Sequence, residues 1–78
     1  MSGRLVLYGR SGCHLCDEAR IVLERIGHPF AEVDIESDDR LLRRYLERIP
    51  VVALDGQELY DFVVDEADLR ARVGSIAE

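Results

Sequence analysis

The amino-acid sequence predicts an α/β domain, a mixed four-stranded sheet with helices on both faces, in the order β-α-β-α-β-β-α. Three observations lead there. Short apolar runs bounded by turn residues alternate with stretches whose apolar residues recur every three or four positions. The last two runs are separated by Asp55-Gly56, a strong hairpin signal. No linker, repeat or low-complexity stretch interrupts the pattern, so residues 1–78 read as one domain.

Leu5-Val6-Leu7-Tyr8 is apolar throughout and too short for a helix, which fits a strand covered on both faces. Gly9-Arg10-Ser11-Gly12 is turn material. Leu15, Ala19, Val22, Leu23 and Ile26 then form the stripe of an amphipathic helix, closed by Gly27 as a left-handed cap with Pro29 beyond it. From Ala31 to Glu36 the chain alternates, with Ala31, Val33 and Ile35 on one side, as in a half-exposed strand. Ser37 or Asp38 caps a second helix with apolar positions Leu41, Leu42, Tyr45, Leu46 and Ile49, stopped by Pro50. Val51-Val52-Ala53-Leu54 is a buried strand, paired through the Asp55-Gly56 turn with Glu58 to Phe62. Asp65 caps a last helix that carries Leu69, Val73 and Ile76 on one face.

With 78 residues, 47% of them apolar and 33% charged, the chain has the composition of a soluble globular protein with a single small core. All ten basic residues are arginine, and the formal net charge is −6. An acidic chain without a basic stripe argues against nucleic acid and anionic membrane as partners. Arg40, Arg43, Arg44 and Arg48 cluster, but among acids, as on a solvated helix face. No segment approaches the roughly 18 apolar residues that a membrane span needs. Met1-Ser2-Gly3-Arg4 leads straight into the first strand without a signal-peptide pattern, so the cytoplasm is the expected compartment. A monomer is the expected state.

Chemistry concentrates at the only two cysteines, Cys13 and Cys16. In a reducing compartment such a pair points to redox or metal work rather than to a structural bridge. Cys13 falls where the first loop becomes a helix, and Cys16 lies one turn in, on the same face and within reach of a disulfide. Unpaired N–H groups and the positive end of the helix dipole favour a thiolate at Cys13. Cys13 is therefore the expected nucleophile and Cys16 the resolving thiol. Asp17 and Glu18 oppose that thiolate, and Arg10 and Arg20 are placed to offset them.

The segment Tyr8-Gly9-Arg10-Ser11-Gly12-Cys13-His14-Leu15-Cys16 resembles the active-site segment of glutaredoxins, and Ile49-Pro50-Val51-Val52 resembles their later strand that opens with a cis-proline. The similarity runs from Leu5 to Val73. It is strongest to small bacterial glutaredoxin-like proteins whose CxxC is followed by an acidic pair, here Asp17-Glu18. The resemblance implies a thioredoxin/glutaredoxin-like fold and thiol–disulfide oxidoreductase activity without a cofactor. It also implies a cis Pro50 beside the cysteines, an Ile49 whose backbone receives a substrate like an added strand, and an Arg10 near a glutathione carboxylate. Arg10, His14, Ile49 and Pro50 are thus the expected substrate-binding residues. Two features depart from the family. His14 replaces a proline, where it can hydrogen-bond the Cys13 sulfur or simply face solvent. Tyr60-Asp61 replaces the glycine pair that cradles glutathione, which disfavours that acidic tripeptide. The expected substrate is a protein disulfide or a small thiol compound, glutathione among the candidates.

Two function classes stay open on residue identity. One is a dithiol oxidoreductase. The other is a non-catalytic thioredoxin-fold module that holds a metal or an iron–sulfur cluster through Cys13 and Cys16. Against zinc within one chain, there is no second CxxC and no spaced histidine pair to complete four ligands.

Overall fold

The computed structural model describes residues 3–77, and side chains for residues 3–74. Ile76, expected on the inner face of the last helix, has its side chain outside the described set. The elements are β1 (Leu5–Gly9), α1 (His14–Ile26), β2 (Phe30–Asp34), a 3-10 turn (Ile35–Ser37), α2 (Asp39–Tyr45), β3 (Val51–Leu54), β4 (Gln57–Asp61) and α3 (Glu66–Ala77). The sheet order is β2-β1-β3-β4, with β1 and β2 parallel and the other two pairings antiparallel. The predicted β-α-β-α-β-β-α order and mixed four-stranded sheet are those of the structure.

The two faces of the sheet carry separate cores. Leu5, Leu7 and Val52 pack beneath Ala19 and Leu23 of α1 and Leu69 and Val73 of α3. On the opposite face Val51 packs with Ile35 and Tyr45, joined by Tyr8, Leu41, Leu42 and Ile49. The central strands β1 and β3 are therefore apolar on both sides, as their unbroken runs require. Asp55 and Gly56 both have positive φ, 54° and 85°, which fits the twist of a two-residue hairpin. Gly27 ends α1 in the left-handed conformation, with its N–H on the Leu23 carbonyl.

Three local expectations are corrected. The buried residues of α1 are Cys16, Ala19 and Leu23, while Leu15 is exposed, so the stripe is turned towards Cys16. The second strand begins at Phe30 and stops at Asp34. Ala31 is exposed, Phe30 packs on the α1/α3 core, and Ile35 is buried from a 3-10 turn rather than from the strand. Finally, α2 ends at Tyr45, well short of Ile49, and Leu46 faces solvent. Residues 46–48 form a turn, closed by the Arg48 N–H on the Tyr45 carbonyl, and Pro50 bars Ile49 from continuing the helix. Asp38, not Ser37, caps α2, accepting the Arg40 N–H.

Candidate functional site

The site begins where β1 runs out. Gly9 is the last β1 residue, Gly12 turns the loop with a φ of 78°, and Cys13 is the N-cap of α1. Its Sγ accepts a hydrogen bond from the Cys16 N–H at 3.2 Å, occupying one of the donors that a helix start leaves unpaired. Cys13 is partly exposed and Cys16 is 2% exposed, both as free thiols. Burial pushes the Cys16 thiol up to about 11, and its hydrogen bond with Cys13 adds to the rise. Gly9 makes this burial feasible. A Cβ at that position would lie 3.0 Å from the Cys16 Sγ.

The charges around the cysteines are paired among themselves. Asp17 binds Arg20 at 3.0 Å, and Arg20 also reaches Glu32 on β2 at 2.7 Å. Arg20 thus offsets Asp17 as expected. Arg10 instead pairs with Glu36 at 2.7 Å, and it flanks an open cavity of about 370 Å³ between the active loop and β2. His14 points outward, 85% exposed, and pairs with Glu18 at 2.8 Å rather than with the Cys13 sulfur.

The Ile49–Pro50 peptide bond is cis. Pro50 is fully buried, and neither the N–H nor the C=O of Ile49 has a hydrogen-bond partner among the described residues. This loop is tied down from below by a network that the sequence did not reveal. Tyr45 stacks on Tyr8 with ring centroids 4.7 Å apart, and its hydroxyl donates to Glu58 at 2.8 Å. Arg44 and Arg48 lie against the Tyr45 ring and also bind Glu58. Arg48 makes a second, two-pronged pair with Asp61 at 2.9 and 3.1 Å. Together these contacts hold Glu58 at about 2, the Arg48 hydrogen bond contributing most. The arginine cluster is thus partly a structural clamp, and Asp61 is not a free charge. Tyr60 turns to the other side, where its hydroxyl donates to Asp68 of α3.

The family described as "Glutaredoxin-like domain (DUF836)" matches residues 4–74. The chain belongs to this glutaredoxin-like family. Among solved structures it is similar to the structural-genomics target protein XcR50 from X. campestris, at 38% identity and a TM-score of 0.76, covering 91% of this chain and 96% of that one. Protein Ne2328 from Nitrosomonas europaea is 29% identical with a TM-score of 0.70, covering 92% of each chain. The glutaredoxin of Archaeoglobus fulgidus shares the fold at 19% identity and a TM-score of 0.64, covering 88% of this chain and 84% of that one. No curated protein matches the chain. No helix among the described residues is long and apolar enough to cross a membrane, and no three His, Cys, Asp or Glu side chains among them come together to hold a metal ion.

Proposed function

We propose that this glutaredoxin-like protein is a dithiol–disulfide oxidoreductase with Cys13 as nucleophile and Cys16 as resolving thiol. The observation that carries this reading is the asymmetry of the pair. One sulfur is accessible at a helix start and accepts a backbone N–H, while the other is buried with its thiol held up to about 11. The Cys13 thiolate attacks one sulfur of a substrate disulfide, forming a mixed disulfide and releasing the other sulfur as a thiolate that takes a proton. Cys16 then loses its proton and attacks the Cys13 sulfur. The Cys13–Cys16 disulfide forms, the second substrate sulfur leaves as a thiol, and two electrons have passed to the substrate. No cofactor enters this exchange. The Ile49 N–H and C=O, which have no partner among the described residues, precede cis-Pro50 and suit an extended substrate chain.

The substrate that fits best is a protein disulfide in the cytoplasm. Glutathione needs cationic or N–H donors at both ends, yet Arg10 is engaged by Glu36 and Arg48 by Asp61 and Glu58. The decisive test is labelling and trapping. Limited iodoacetamide at neutral pH should modify Cys13 first, and Cys16→Ser should accumulate mixed disulfides. Oxidation should lower the intact mass by about 2 Da, reversibly with thiol. Preferential labelling of Cys16, or a purified protein that carries metal on both sulfurs and forms no disulfide, would overturn the assignment.

A further inference from the structure

Beside the cysteines the chain exposes apolar surface that its own folding does not use. Leu15 sits between Cys13 and Cys16 and is 37% exposed, and across from it Phe62 and Val63 are 49% and 71% exposed. The three line one groove of about 80 Å³, floored by Ala19, Val22 and Val64. Phe62 also has a φ of 68°, a left-handed conformation rare for a bulky side chain. Two hydrogen bonds impose it, from Phe62 N–H to the Pro50 carbonyl at 2.9 Å and from Val63 N–H to the Asp61 carbonyl at 2.7 Å. These bonds hold the phenyl ring at the surface, half-exposed beside Val63.

We propose that the groove formed by Leu15, Phe62 and Val63 docks an extended segment of a protein substrate that carries a bulky uncharged side chain beside its disulfide cysteine. This rests on the thiol–disulfide reading and names the substrate class for the same site. The occupant follows from three features. Leu15 and the Cys13 nucleophile share the first turn of α1, so a disulfide reaching Cys13 brings its flanking residues over the groove, one extended residue spanning about 3.3–3.6 Å. Among the described residues Glu18 is the one charged side chain lining the groove, and it is paired with His14, so the groove offers an acidic occupant such as glutathione no cation and favours a neutral one. The hydrogen bond from the Phe62 N–H to the Pro50 carbonyl ties the rim of the groove to the residue that follows Ile49.

The test uses short symmetric peptide disulfides that differ only in the residues flanking cysteine, which are Leu, Ser or Glu on either side. Pre-reduced protein is mixed with each in single-turnover reactions, followed by the appearance of peptide thiol. The Leu peptide should react about tenfold faster than the Ser peptide, the factor that partial burial of one such side chain gives, and the Glu peptide slowest. Phe62→Asn removes the ring while keeping a residue that tolerates left-handed φ, and it should bring the Leu/Ser ratio to about threefold or less. Equal rates for all three peptides would overturn the docking surface and leave the thiol–disulfide reading standing. No reaction with any of them would overturn both. A concentration-dependent dimer lost in Phe62→Asn would assign the groove to a second copy and overturn the proposal.

Discussion

Gly9→Ala is the sharpest single test of how the buried thiol is held. Gly9 has ordinary strand backbone at the end of β1, so alanine there brings no dihedral strain, only a methyl group. That methyl would lie 3.0 Å from the Cys16 Sγ and 3.2 Å from its Cβ. Unstrained contacts between carbons sit near 3.5–4.0 Å, so α1 or the Cys16 side chain must retreat by about half an ångström or more. Overpacking of that kind costs about 1–3 kcal/mol, which in a domain this small lowers Tm by roughly 4 °C to well over 10 °C. Urea unfolding of the reduced protein measures the cost, and a cycle with Cys16→Ala locates it. Without the sulfur only the 3.2 Å contact with Cβ remains, so alanine at position 9 should be at least about 0.5 kcal/mol cheaper in that background. If Gly9→Ala proves neutral, or costs the same with and without the sulfur, the contact between β1 and Cys16 does not set the packing of the site.

Two further outcomes follow from the titrating groups. Glu58 is held at about 2, below its ordinary value, so its ion pairs stabilise the fold fully above the unfolded-state pKa near 4.5, and this stability is lost as pH falls from there through about 2. Glu58→Gln should cost about 1–3 kcal/mol at neutral pH and flatten the acid limb of a stability-versus-pH profile; an unchanged limb would refute the clamp's role. In Cys13→Ser protein the alkylation of Cys16 should stay slow at neutral pH and rise only above the ordinary thiol value, because burial, the main cause of its shift, remains when the Cys13 contribution is lost. A midpoint near the ordinary thiol value would show that Cys16 is not desolvated.

The strands and the hairpin were legible because their signals are local. Val51 to Leu54 is an unbroken apolar run, and Asp55-Gly56 dictates its own turn. The cysteine pair was legible for the same reason, since a loop-to-helix junction is visible in the chain. The stripe of α1 holds at Ala19, Leu23 and Ile26 and departs only at its start, where Leu15 stays exposed and Cys16, one residue on, is buried. The length of α2 was overread because Leu46 and Ile49 continue its period, although one faces solvent and the other supports the Pro50 loop. The Glu58 clamp joins residues that lie apart in sequence, and charge spacing alone cannot announce such a meeting. Phe62 had a weaker signal: Phe62-Val63-Val64 falls between the end of a strand and a helix cap, where an apolar run has no partner to cover it.

The carboxylates of the outer strands bear on how the molecule keeps company with itself. A sheet with open edges invites edge-to-edge growth, since unpaired N–H and C=O groups along a rim can template another strand. Here β2 carries Glu32 locked to Arg20, and β4 carries Glu58 and Asp61 locked to Arg44 and Arg48. A neighbouring strand laid along either rim must pass hydrated ion pairs that are already satisfied and gain little from displacing them. Backbone pairing is thereby steered away from the rims, while the N–H and C=O of Ile49, before cis-Pro50, have no partner among the described residues. The same ion pairs that fasten the fold also guard it against polymerisation through its edges.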